Sequence, residues 1–254
     1  DLGILLMDSD PGQARGWWER AAAAGHPGAM YILGLLLQDS DPGQARGWWE
    51  RAAEAGHTDA MNNLGDLLRT SDAGQAYRWY QSAAEAGDAR AMYMLGVMLR
   101  RSDPDQTRHW YQKAAEAGHT DAMVDLGLLL VNSDPGQARH WWQQAAAAGD
   151  TDAMVDLGML LKDSDPGQAR QWYKQAAEAG NTGAMHNLGI LLYPSDPQQA
   201  GRWWEKAAEA GHAGAMHNLG VLLYPSDPQQ ARRWWEKAAA AGDTDAIEVL
   251  RRLS

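Results

Sequence analysis

The chain of 254 residues contains no cysteine, so disulfides and thiolate metal sites are excluded and no redox compartment can be read from it. No apolar run approaches the roughly 20 residues that a bilayer-spanning helix needs. Positive charge is scarce: 22 Lys and Arg stand against 33 Asp and Glu, a formal net charge of -11. Nucleic acid and anionic membrane surfaces require clustered Lys and Arg, so this balance argues against both as partners. No signal peptide opens the chain. No nucleophile–base pair, phosphate-binding loop or metal-spaced cluster is legible, so no enzymatic activity, cofactor or bound metal is expected. The expectation is a soluble, cytoplasmic, non-catalytic protein.

Repetition is what the chain has in abundance. Leu-Gly recurs at Leu2-Gly3, Leu33-Gly34, Leu64-Gly65, Leu95-Gly96, Leu126-Gly127, Leu157-Gly158, Leu188-Gly189 and Leu219-Gly220, a step of 31 residues without insertion. Tryptophan keeps the same step from Trp17 through Trp48, Trp79, Trp110, Trp141, Trp172 and Trp203 to Trp234. A fixed period of this length marks a stacked array in which each unit buries its apolar face only against its neighbours. Residues 182–212 and 213–243 differ only at Thr182/Ala213, Ile190/Val221, Gly201/Arg232, Glu209/Ala240 and His212/Asp243. That closeness fits recent duplication or a consensus-built sequence, and the residues do not separate the two. Asp1-Leu2-Gly3 enters mid-repeat, so 1–254 reads as one array cut from a longer protein, with a half repeat at the start and a single helix at the end.

Within residues 41–71, Asp41-Pro42-Gly43-Gln44 is a helix start: Asp as N-cap, Pro at the first helical position, Gln three residues after the cap. Gly56 is the expected left-handed C-cap of this helix, termed B. A second helix, A, begins near Asp59 and carries Ala60, Met61, Leu64, Leu67 and Leu68 at the spacing of one helical face. The links are short, so A and B pack antiparallel. Gly65 inside helix A costs about 1 kcal/mol relative to Ala. Its recurrence predicts close approach by another helix's backbone, and the Trp pairs are expected to fill the core beside the recurrent alanines.

Two blocks carry a resemblance: Ala-Arg-x-Trp-Trp-Glu-Lys-Ala-Ala-x-Ala-Gly over Ala231–Gly242 and Ala-Met-x-x-Leu-Gly over Ala184–Gly189. They resemble tetratricopeptide-like repeats, specifically the Sel-one-like branch, along the whole chain. Ala45, Trp49 and Ala52 are similar to the small, aromatic and small positions of that family's second helix. The resemblance implies an all-α solenoid, a right-handed superhelix of about eight repeats and 17 helices, with a concave groove lined by the A helices. The 31-residue unit, Met61 in place of an aromatic and His57 where proline is common depart from the pattern.

Mapped onto this sequence, the groove stripe is the set i, i+3, i+7, i+10 of each A helix. Its candidate binding residues are Tyr31; Asn62, Asp66 and Arg69; Tyr93, Val97 and Arg100; and Val124, Leu128 and Val131. It continues with Val155, Met159 and Lys162; His186, Ile190 and Tyr193; and His217, Val221 and Tyr224. Rows of apolar and aromatic side chains on a face that elsewhere tolerates Asp and Arg suggest a contact surface for a protein or peptide. The competing expectation for Leu35 and its equivalents is burial between repeats. His186 and His217 share one stripe position, but adjacent helix pairs are too far apart for a shared zinc. His26, His57, His119 and His212 are expected in turns. The alternative to a scaffold is a spacer or end-to-end self-assembling module, in which Leu2, Leu5 and Leu6 form an uncapped end. Less favoured still is an inactive domain attached to an enzyme.

Overall fold

The computed structural model describes residues 10–253. Among these residues there are sixteen helices and no strand. The B helices are α1 (Pro11–Ala23), α3 (Pro42–Glu54), α5 (Ala73–Glu85), α7 (Pro104–Glu116), α9 (Pro135–Ala147), α11 (Pro166–Glu178), α13 (Pro197–Glu209) and α15 (Pro228–Ala240). The A helices are α2 (Pro27–Leu37), α4 (Thr58–Leu68), α6 (Ala89–Leu99), α8 (Thr120–Leu130), α10 (Thr151–Leu161), α12 (Thr182–Leu192), α14 (Ala213–Leu223) and α16 (Thr244–Arg252). The expectations resting on Leu2, Leu5 and Leu6 lie outside the described residues. The chain forms two compact units, Asp1–Leu126 and Gly127–Ser254, each a stack of helix pairs of the solenoid type.

Local chemistry sets the boundaries. Asp41 Oδ1 accepts from Gln44 N at 2.9 Å while Gln44 Nε2 donates back to Asp41 Oδ2 at 2.8 Å, so one residue pair satisfies the opening turn of α3. Gly56 ends the helix at φ 88°, a left-handed conformation that a side chain would strain. The A helices are capped by the residue after that glycine. His57 Nδ1 accepts from Ala60 N at 3.4 Å, and His26, His119 and His212 do the same in their repeats. Asp88, Asp150, Asn181 and Asp243 supply a carboxylate or amide oxygen at this position. The turn histidines are therefore helix caps.

The tightest pairing joins an A helix to the B helix that follows it, and here two expectations change. An aromatic ring, rather than a backbone, lies on the Leu-Gly glycine: a Cβ placed on Gly65 would stand 2.6 Å from Tyr80 Cε1 and Cζ. Gly34, Gly127, Gly189 and Gly220 meet Trp49, Trp142, Trp204 and Trp235 in the same way. The buried aromatic is thus the second of each pair. Trp18, Trp49, Tyr80, Tyr111, Trp142, Tyr173, Trp204 and Trp235 are all buried. The strictly periodic tryptophan before it is only partly covered, with Trp17 41 % exposed. Adjacent residues on a helix point about 100° apart, so only one of the pair can face the A helix. The other seals the edge of the core beneath a cation one turn on: Arg20 over Trp17, Arg51 over Trp48, Lys113 over Trp110, Lys206 over Trp203 and Lys237 over Trp234, at 4.4–5.1 Å from the ring centroids.

Candidate partner-binding surface

The four rows of the predicted stripe occupy different environments. The first row carries Asp59, Arg90, Asp121 and Asp152 in solvent at the helix starts. The second row lies at the repeat junction, half-buried or buried, and reaches the cap of the next A helix. Tyr31 stacks on His57 at 4.6 Å between centroids, Tyr93 on His119 at 4.7 Å and His186 on His212 at 4.6 Å. Asn62, 1 % exposed, donates from Nδ2 to Asp88 Oδ1 at 3.1 Å, and His217 Nδ1 lies 3.3 Å from Asp243 Oδ1. Asn62 is thus a junction residue and says nothing about polar tolerance in an open groove. Val124 and Val155 occupy the same row, also half-buried.

The third row opens to solvent in the second unit. Leu128 is 49 %, Met159 53 %, Ile190 49 % and Val221 45 % exposed, four apolar side chains at one position in successive repeats. In the first unit the same row runs Leu35, Asp66 and Val97, and it is broken by charge. Asp66 accepts from Tyr80 Oη at 2.6 Å and pairs with Arg90 at 2.5 Å. The fourth row borders this strip with Val131, Lys162, Tyr193 and Tyr224 in the second unit and with Arg69 and Arg100 in the first. Tyr193 and Tyr224 are exposed, and each lies about 5.5 Å from the buried tryptophan of its own repeat, Trp204 and Trp235.

Between successive A helices the strip dips into a recess floored by the buried aromatic. In the second unit the recess has a volume of about 180 Å³, lined by Met159, Lys162, Tyr173, Asn187, Ile190 and Leu191. Four repeats earlier the same place holds about 450 Å³, with Gln38, Trp49, Asn63, Asp66 and Leu67 at equivalent positions. The recess is therefore a product of the repeat, and its lining is what changes from one copy to the next.

Burial, with Asp152 and Asp150 nearby, pushes the Asp156 carboxyl up to about 6. Burial and the facing Asp125 push Tyr93 up to about 12. Burial, with His212 beside it, holds His186 down to about 4, so this stacked pair is neutral at pH 7. Among the described residues, no group of three or more Asp, Glu or His is placed to hold a metal ion, and no helix is long and apolar enough to cross a membrane.

The helix pairs have recognisable relatives. The Sel1 repeat model matches residues 2–26, 27–57, 58–88, 89–119, 121–150, 151–181, 182–212 and 213–243. The structure is similar to that of a protective antigen present in uropathogenic Escherichia coli strains and displaying an SLR fold, with a TM-score of 0.83 and 28% identity. The superposition covers 96% of this chain and 61% of the antigen, so the chain spans less than two thirds of that protein's length. It is also similar to a Sel1 repeat protein from Oxalobacter formigenes, with a TM-score of 0.78, 26% identity, and coverage of 100% of this chain and 85% of that one. A sequence search of curated proteins returns no match. Eight consecutive matches in register show that the chain belongs to the Sel1 repeat family, whose members are generally non-catalytic scaffolds for protein–protein interaction.

Proposed function

We propose that this chain is a scaffold that holds a peptide or a partner's surface against its A helices, with the second unit as the principal contact. One observation carries the reading: Leu128, Met159, Ile190 and Val221 present half-exposed apolar side chains at a single repeat position. Burying apolar area contributes about 25 cal/mol per Å². Side chains left in water at that position, where Asp66 shows that a carboxylate is accommodated, fit a surface kept for association. Tyr193 and Tyr224 add aromatic bodies with polar tips, the residue type that dominates interface energetics. The recess between Met159 and Ile190 would admit one apolar side chain of the partner. The partner is a protein or peptide, rather than nucleic acid or a membrane surface.

The test is a peptide-library selection on the whole chain beside the variant Leu128→Asp, Met159→Lys, Ile190→Asp. Enriched peptides that the variant loses, with helicity unchanged, support the reading. Equal enrichment by both forms, or none by either, would remove the A-helix strip as a binding surface and favour a structural spacer.

A further inference from the structure

The opposite side of the helix pairs carries a second feature, independent of the strip. Between the B helices α11 and α13 lies a recess of about 550 Å³ lined by Arg170, Lys174, Arg202 and Lys206, with Gln199, Trp203 and Leu188. That size falls within the range of small-molecule sites, about 300–1,000 Å³. Arg170 and Lys174 stand one turn apart on α11, and Arg202 and Lys206 repeat that spacing on α13. Arg170 Nη2 donates to Gln199 Oε1 at 3.3 Å across the recess, and Lys206 Nζ lies 4.5 Å from the Trp203 ring centroid. Among the described residues, the ion pair made by these four cations is Lys174 with Glu178 at 3.6 Å, between two solvent-exposed side chains. No carboxylate lines the recess.

The recess belongs to the fold, whereas the charge belongs to this junction. Four repeats earlier the equivalent place, about 290 Å³, is lined by Gln75, Arg78, Trp79 and Ser82. There the positions of Arg170 and Lys174 hold Arg46 and Glu50, bonded to each other at 2.7 Å, and Ser82 stands for Lys206. At the next junction the four positions are Gly201, Glu205, Arg233 and Lys237. Each of these neighbours keeps one net positive charge, against four here. Like charges one turn apart on a helix repel, and the exposed Glu178 beside Lys174 offsets only part of four positive charges, so the cluster is held against its own electrostatics. The chain's net negative charge does not forbid an anion here. Distant charges are screened over about 10 Å at 0.1 M salt, while groups lining the recess act at contact.

We infer that the α11–α13 recess binds a compound carrying two or more phosphate groups. Guanidinium forks match phosphate oxygens bidentately, and the lysines add point charges on both walls. A single phosphate, at about -2, would leave half the cations unpaired.

Calorimetric titration of the full chain with inorganic triphosphate, inorganic phosphate, a nucleoside triphosphate and a Glu-rich peptide tests this. Saturable one-to-one binding of triphosphate is expected, at least about tenfold tighter than phosphate. Arg170→Gln with Arg202→Gln should weaken it by on the order of 10- to 100-fold. Arg46→Gln with Arg78→Gln at the earlier recess should leave it unchanged. A nucleoside triphosphate that binds tighter than triphosphate points to a nucleotide source with its base against Trp203, and an equal constant to a bare polyphosphate. A flat triphosphate isotherm into the millimolar range overturns the proposal. So does binding that survives the double variant or weakens equally in the control, and so does tighter binding of the acidic peptide. The wild-type titration decides the matter even where a variant is lost to misfolding.

Discussion

Gly65→Ala tests the A–B contact by its sign. Alanine is the better helix former by about 1 kcal/mol, so at an open helical position the exchange stabilises. At Gly65 the new methyl would stand 2.6 Å from two Tyr80 ring carbons and 2.9 Å from a third, where carbon atoms pack at about 3.5–4.0 Å. The ring must retreat by about 1 Å. It is fully buried, and its hydroxyl is bonded to Asp66 at 2.6 Å, so retreat also loosens a charge-assisted hydrogen bond. Overpacking of this kind costs about 1–3 kcal/mol, and the loosened bond adds to it, leaving a net loss near 2 kcal/mol after the propensity gain. Gly47→Ala, inside α3 with nothing within 4 Å of the added methyl, keeps only the gain. At about 2–4 °C per kcal/mol for a chain of this size, Gly47→Ala should raise the melting midpoint by ~3 °C and Gly65→Ala should lower it by ~6 °C. Circular dichroism melts of the two variants suffice. If Gly65→Ala stabilises as Gly47→Ala does, no aromatic ring lies on that glycine and the packing described above is wrong.

Three further outcomes follow from the same geometry. Trp204→Ala should cost about 3–5 kcal/mol in urea denaturation, whereas Trp203→Ala, one residue earlier and partly exposed at the core's edge beneath Lys206, should cost about 1 kcal/mol. Comparable losses would contradict the assignment of the buried ring. Asp156, raised to about 6, ionises more readily in the unfolded chain, so stability falls as pH rises from about 4 through 6. Asp156→Asn, the residue already present at Asn187 and Asn218, should therefore stabilise at pH 7 by on the order of 1 kcal/mol, with no effect near pH 4. A gain independent of pH would deny the desolvated carboxylate. His212 is held below its ordinary value by burial and accepts a hydrogen bond from Ala215 N through an unprotonated ring nitrogen. The unfolded chain takes up that proton first, so stability is lost as pH falls below about 6.5. His212→Asn, which copies the cap formed by Asn181 with Ala184 at 2.9 Å, should flatten the difference in stability between pH 7.5 and pH 5. An unchanged pH profile would refute it.

Much of the architecture is local and so was readable. Asp41, Pro42, Gln44 and Gly56 each act through a neighbour within a few residues, and their roles follow from elementary capping chemistry. Ala60, Met61, Leu64 and Leu68 report the buried face of helix A directly, whereas Leu67, expected on the same face, is 43 % exposed. The choice between Trp48 and Trp49 was less accessible from periodicity, because both sit beside alanines; the family resemblance alone pointed to Trp49, the buried one. Their exposures differ because the A helix lies on one side only. The histidine caps were missed because His is an uncommon N-cap, yet the signal was present: the same position holds Asp88, Asp150, Asn181 and Asp243. The stripe follows one side of the A helices, but burial between repeats separates Tyr31 and Asn62 from Leu128 and Met159, and that separation depends on how successive helix pairs nest. The α11–α13 recess was invisible for a related reason. Its cations come from two helices, and in the linear sequence each is interleaved with Glu178 and Glu205.

The contact of five second-row residues with the next repeat's cap sets a rule for how such a chain can be copied or spliced. Tyr31 with His57, Asn62 with Asp88, Tyr93 with His119, His186 with His212 and His217 with Asp243 are partners 26 positions apart. A segment excised at its proline carries off one member of each end pair and strands the other, leaving an imidazole where an amide expects a carboxylate, or a carboxylate beneath a tyrosine. Breakpoints in the first turn of an A helix, after its cap and before its second-row residue, as between His57 and Asn62, keep every such couple together. Lengthening or reordering the array is then a problem of compatible seams, and two repeats that each fold well beside their own neighbours need not tolerate each other.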